Sequence, residues 1–207
     1  MGSQRCLKMS NIEIYLIRHG KTPSNEQSLY CGATDVSLSD NGIKEIKALK
    51  IEIEYPVCDV YYTSGAKRAN ETFELIYENS SYEILSDFFE YNFGDFEMKS
   101  YDMLKENEDY IKWISDNSGK IACPNGESKA QYNKRIENAF ITLVEEGIKE
   151  NKKRIFLLSH GGTIGTILEK FYDDSKSFYE YQPSNGRGYK VIVEVSDKVR
   201  ITEFENI

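Results

Sequence analysis

Histidine is scarce in this chain, with two among 207 residues, and so are cysteine, with four, and tryptophan, with one. Cys6, Cys31, Cys58 and Cys123 are scattered, without a Cys-x-x-Cys pair or a histidine at ligand spacing. Neither a zinc module nor a disulfide framework is expected, and the thiols read as free in a reducing cytosol. No apolar run approaches the roughly 18 residues of a membrane span. The opening MGSQRCLKMSN has no signal-peptide core, and Cys6 stands where a myristoylation signal wants Ser or Thr. Residues 1–10 are therefore expected to form a flexible leader, and the protein to be cytoplasmic. Basic residues are the minority, 26 Lys+Arg against 34 Asp+Glu for a net charge of −8. That balance argues against nucleic-acid and membrane partners and leaves an anionic ligand to be met by a few placed cations.

What is present is a pattern of short apolar runs alternating with amphipathic stretches. IEIYLI (12–17), DVYYTS (59–64) and RIFLLS (154–159) read as strands, and GYKVIVEV and KVRITEF as two more at the end of the chain. Ser39 is placed to cap a helix carrying Ile43, Ile46, Leu49 and Ile53. A second helix carries Ala69, Phe73 and Ile76, and Ser128 opens a long one carrying Tyr132, Ile136, Phe140, Leu143 and Ile148. The expected fold is an α/β three-layer sandwich with a mostly parallel central sheet and helices on both faces. Residues 11–207 are read as a single domain. The aromatic, acidic stretch at about 86–127 is read as an inserted segment of short helices over the sheet's edge.

Both histidines end a strand-like run and precede glycine: Arg18-His19-Gly20 and His160-Gly161-Gly162. With glycine at about 7%, both falling so by chance is a roughly 0.5% coincidence. In an open parallel sheet both turns would lie at the carboxyl edge, where ligands bind. Arg18 and Arg68 together match the charge of a phosphate monoester and can grip its oxygens bidentately. Gly161 and Gly162, at a helix start, add backbone donors. Flanking arginines keep an imidazole neutral, so His19 can serve as a nucleophile. A leaving oxygen then needs a proton, and in DFFEYNFGDFE the composition leaves Glu90, Asp95 and Glu97 equally eligible to give it.

These residues together resemble the histidine phosphatase superfamily, which includes cofactor-dependent phosphoglycerate mutases and related phosphatases. The resemblance spans roughly residues 12–172 and rests on RHGKTPSN, TSGAKRANET, FFEYNFGDFE and SHGG in that order. It implies His19 as nucleophile, Glu90 as proton donor, and Arg18, Asn25, Arg68 and His160 as phosphate contacts, with Gly161 and Gly32 assigned to phosphate or substrate binding. No metal and no cofactor is implied. Ala66, Met98 and Lys21 depart from the family pattern without removing a catalytic group. The compact segment around the acid is more similar to the small phosphatases, among them those acting on α-ribazole phosphate, than to the mutases. The expectation is a metal-independent phosphomonoesterase for a small phosphorylated metabolite, working through a phosphohistidine. Mutase-type transfer and a non-catalytic phosphoester-binding module are the alternatives, and substrate and oligomeric state are left open.

Overall fold

In the computed structural model, which describes residues 10–173 and 175–207, β1 (Ser10–Arg18) divides its side chains between two cores. Ile12, Ile14 and Leu16 face one, and Tyr15 and Ile17 the other. This two-sided burial is what a nearly unbroken apolar run requires. Its one acid, Glu13, is tied down by Arg154 Nε at 3.1 Å and Lys190 Nζ at 3.5 Å.

The chain continues through a single-turn α1 (Pro23–Glu26), α2 (Asp40–Glu52), β2 (Val60–Thr63), α3 (Lys67–Ile76) and the short β3 (Glu83–Ile84). After 3-10 turns at Ser86–Phe88 and Gly94–Phe96 come α4 (Tyr101–Leu104), α5 (Glu108–Ile114) and the long α6 (Lys129–Lys149). The last elements are β4 (Arg154–Ser159), α7 (Gly161–Phe171), β5 (Gly188–Val195) and β6 (Val199–Asn206). Ser39 caps α2 by accepting from Gly42 N, and Ser128 forms a reciprocal capping box with Gln131 at the start of α6, as their sequence positions predict.

One six-stranded sheet runs in the order β3-β2-β4-β1-β5-β6, with β3, β2, β4 and β1 mutually parallel and β5 antiparallel to both β1 and β6. Helices cover both faces, as expected. On one face Ile46 of α2 and Ala69, Phe73 and Ile76 of α3 pack on Tyr15, Ile17, Phe156 and Leu158. On the other, Ile136, Phe140, Leu143 and Val144 of α6 and Ile164, Ile167 and Leu168 of α7 pack on Ile14, Leu16, Ile155 and Leu157. The chain leaving β1 thus runs to one face and the chain leaving β4 to the other, opening a crevice at the carboxyl ends of two adjacent strands.

Two features add to the expected picture. The acid-bearing segment sends Phe88, Tyr91, Phe96, Leu104, Tyr110 and Cys123 into the core on the α6 side, so it is bolted to the domain by its aromatics. Only its outer surface, with Tyr101 and Met103, is exposed. Strand β3 and helix α1 were not anticipated, because two and four residues are too few to show a period. The leader, apart from Ser10, lies outside the described residues. No helix among those described is long and apolar enough to cross a membrane.

Phe156 is fully buried and packs against Tyr61, Phe73 and Tyr77 with ring centroids 5.2–6.1 Å apart. Phe156→Ala should destabilise the protein by about 3–5 kcal/mol through lost burial and the cavity left behind, read as a lower urea midpoint at unchanged slope.

Candidate active site

Parallel pairing of β1 with β4 sets Arg18 opposite Ser159, so the next residues, His19 and His160, emerge side by side. Their rings lie edge to face with centroids 5.2 Å apart. His19 is 5% exposed and His160 fully buried. His19 Nδ1 lies 2.7 Å from the Gly20 carbonyl oxygen, which can only accept, so Nδ1 carries the hydrogen and a neutral His19 keeps its lone pair on Nε2. The backbone around it is fixed from two sides: Gly20 N donates to Thr72 Oγ1 at 2.9 Å, and Asn185 Nδ2 donates to the His19 carbonyl at 2.9 Å.

Burial, first, and then the charges of Arg68 and Arg18 hold His19 well below the ordinary imidazole range. His160 is lowered in the same direction by burial, Arg68, His19 and Arg18. Both rings are therefore neutral at pH 7. His160 Nε2 meets Ser64 Oγ at 2.8 Å, while its Nδ1 has no partner.

Arg68, near the start of α3, is 1% exposed. Its Nη1 donates to the Thr34 carbonyl at 3.1 Å and its Nη2 to the Gly32 carbonyl at 2.9 Å, while its Nε is unpartnered. Arg18 donates from Nη1 to the Pro183 carbonyl at 2.9 Å, and its Nε is also unpartnered. Carbonyl groups hold each guanidinium in place without neutralising it. Together with Ser159 Oγ, these three nitrogens are the buried side-chain polar atoms left without a partner among the described residues. Such atoms are rare in folded proteins, and three of these four belong to Arg18, Arg68 and His160, whose charges or ring lie beside His19.

Asn25, the third residue of α1, completes a capping box with Thr22. Its Oδ1 accepts from Thr22 N at 3.1 Å, which leaves the Nδ2 donor free to face outward. Gly32 enters at one remove, because its carbonyl holds Arg68 and its N–H is already committed to Glu97 at 3.0 Å. A Cβ there would lie 1.5 Å from the Tyr91 carbonyl oxygen, so only glycine fits.

The three acids that composition left equivalent are separated by geometry. Asp95 takes the amide of Asn125, away from the histidines. Glu97 turns back to accept from the backbone of Gly32, Ala33, Thr34 and Phe93, ordering the loop whose carbonyls hold Arg68. Glu90 reaches α7, where its Oε2 accepts from Gly162 N at 2.9 Å. Its Oε1 accepts from Tyr132 Oη at 2.7 Å and Tyr91 N at 3.0 Å. With both lone pairs of Oε1 engaged, a proton on this carboxyl belongs on Oε2. A Cβ on Gly162 would sit 2.5 Å from Glu90 Oε1, and one on Gly161 would sit 3.0 Å from Arg18 Cζ.

Arg135 on α6 clamps the acid's segment. It is bidentate to Glu127 at 2.8 and 2.9 Å and also donates to the carbonyls of Asp87 and Phe89. Sequence reasoning missed Arg135, Tyr132 and Asn185, since each meets the site from a distant segment with no local motif; Thr72 closes the TSGAKRANET motif, which by itself gives it no role. Of the departures, Lys21 pairs with Glu45 on the surface and Ala66 is packed in the core. Met98 adopts φ 58°, the left-handed region that glycine occupies most readily. Among the described residues no group of three or more His, Cys, Asp or Glu is placed to hold a metal ion.

Comparison with known proteins agrees with this geometry. An adenosylcobalamin/α-ribazole phosphatase of Salmonella typhimurium is 28% identical over 163 residues, 77% of this chain and 79% of that protein. The crystal structure of an α-ribazole phosphatase from Shigella flexneri superposes with a TM-score of 0.74 at 25% identity, covering 92% of this chain and 94% of that one. A phosphoserine phosphatase variant from Entamoeba histolytica, solved with phosphoserine, gives 0.72 at 26%, covering 93% and 96%. The description of the histidine phosphatase superfamily, branch 1, matches residues 14–205. With nearly the whole chain matched, the protein belongs to the histidine phosphatase superfamily.

Proposed function

We propose that the protein hydrolyses a small phosphomonoester through a phosphohistidine on His19, without a metal ion. The observation that carries this reading is the gathering of Arg18 Nε, Arg68 Nε and His160 Nδ1, buried and unpartnered, around a neutral histidine. Two guanidiniums balance the −1.5 to −2 charge that a phosphate monoester carries at pH 7. Donors already in position need no reorganisation as charge shifts in the transition state.

His19 Nε2 attacks phosphorus and the N–P bond forms as the P–O bond to the leaving group breaks. The leaving oxygen takes the proton from Glu90 Oε2. Water then attacks the phosphohistidine and yields a proton to the Glu90 carboxylate, and the N–P bond breaks to release inorganic phosphate. Arg18, Arg68, His160 and the Nδ2 of Asn25 hold the phosphoryl oxygens throughout, with Gly161 N at the start of α7 beside them. Similarity to enzymes named for α-ribazole phosphate and phosphoserine supports a small phosphorylated metabolite as substrate and places those two compounds first in a screen.

A panel of phosphorylated metabolites assayed with EDTA should show hydrolysis of at least one member. His19→Ala should reduce it to background, and Glu90→Gln should slow it by about 10²–10⁴-fold. Full activity in His19→Ala would refute the mechanism, and faster transfer to a second acceptor than to water would identify a mutase instead. An acid-labile, alkali-stable phosphoryl label should be trapped on the wild-type protein and be absent from His19→Ala.

The lowered histidines also make stability depend on pH. Below about pH 6.5 the unfolded chain binds two protons that the folded protein refuses, so stability is complete above that pH and falls below it. The slope reaches about 1.4 kcal/mol per pH unit for each histidine. Urea unfolding at pH 7.5 and 5.5 should show this loss in the wild type and a smaller one in the His19→Asn/His160→Asn double variant. An equal loss in both would show that the histidines are not its source.

A further inference from the structure

Ser64 follows β2 directly, is fully buried, and plays no part in the mechanism above. Its N–H extends the sheet ladder to the Leu158 carbonyl at 3.1 Å, which fixes its backbone one strand away from the histidines. Its Oγ is 2.8 Å from His160 Nε2 and is approached from the other side by Ala66 N at 3.4 Å.

A serine hydroxyl has one hydrogen and two lone pairs. Ala66 N–H takes a lone pair, and His160 Nε2 is the one acceptor within hydrogen-bond distance among the described residues. A buried hydroxyl hydrogen without an acceptor is costly, so the hydrogen belongs on the Ser64–His160 contact, and Nε2 must accept it. The hydrogen of the neutral ring then resides on Nδ1, the atom otherwise without a partner.

We propose that Ser64 is a positioning residue that sets the tautomer of His160, so that this neutral ring presents Nδ1–H as a donor to the transferring phosphoryl group. The assignment rests on the phosphatase reading and explains why a serine is needed there. A lone pair on Nδ1 would repel a phosphoryl oxygen; by occupying the Nε2 lone pair, the Ser64 hydroxyl leaves the ring hydrogen on Nδ1.

With two histidines in the chain, long-range ¹H–¹⁵N spectra of the whole protein give two imidazole patterns, assigned by comparison with His19→Asn. At pH 7.5 without ligand, His160 should show the neutral Nδ1–H tautomer. Ser64→Ala should give a mixture of tautomers, bind inorganic phosphate about tenfold more weakly and lose about tenfold in kcat, as for one hydrogen bond to a charged group. Ser64→Thr, which keeps the hydroxyl, should restore the wild-type pattern. An Nε2–H tautomer in the wild type, or an unaltered His160 pattern in Ser64→Ala, would overturn the assignment. Because the wild-type spectrum, once assigned, needs no turnover, it stands apart from the phosphatase reading. Absence of hydrolysis across the panel with the Nδ1–H tautomer present would refute the activity and retain the role of Ser64.

Discussion

The parallel pairing of β1 with β4, from Glu13 opposite Arg154 to Arg18 opposite Ser159, is the constraint on which the site depends. A slip of one residue would turn each strand's side chains to the opposite core and carry one histidine away from the other. The register is held because Ile14 and Leu16 must lie with Ile155 and Leu157 on one face, and Tyr15 and Ile17 with Phe156 and Leu158 on the other. The hydrophobic core therefore does more than stabilise the domain, since it sets the spacing of two imidazoles at its edge.

The second constraint is the burial of positive charge in an acidic protein. Arg68 and most of Arg18 are removed from water, and each is held by backbone carbonyls. Carbonyls supply hydrogen bonds but no countercharge; Arg18 feels the nearby Glu90 carboxylate, which offsets its burial only in part. Glu97, through the 32–34 loop, aims Arg68 without touching it. A chain with an excess of acids thus places two largely buried guanidiniums at the base of the crevice.

Much of this was legible in the chain. The strand-His-Gly repeats placed His19 and His160 at one sheet edge because local apolar runs announce strands and a parallel sheet aligns their ends. The helices over Ser39–Ile53 and Ser128–Glu150 could be read from caps and period. The choice among Glu90, Asp95 and Glu97 could not be read from composition and came only with the family resemblance. Asp95 lies within the 3-10 turn at Gly94–Phe96 and Glu97 caps it, while Glu90 is held by Gly162, Tyr132 and Tyr91, and none of these arrangements has a hydrophobic signature. Tyr132 and Arg135 are also hidden, because each acts across the fold on a group far away in sequence, while Ser64 and Thr72 stand in the TSGAKRANET motif with roles that only their partners His160 and Gly20 reveal. Gly32 is expected from the sequence to bind phosphate or substrate; in the structure its N–H goes to Glu97, its carbonyl holds Arg68 and the Tyr91 carbonyl is pressed against it.

Helix α7 follows directly on His160, its N-cap residue, and offers the N–H of Gly162 to Glu90. His160 and Glu90, the donor and the acid of the proposed mechanism, are thus referred to the same turn of backbone, like two instruments bolted to one bench. Thermal displacement of that turn carries both together and leaves their separation nearly unchanged. Relative error enters instead at His19, which rides on β1 and is steadied by Thr72 and Asn185. The precision of the site accordingly depends on how firmly one strand end is held against one helix start.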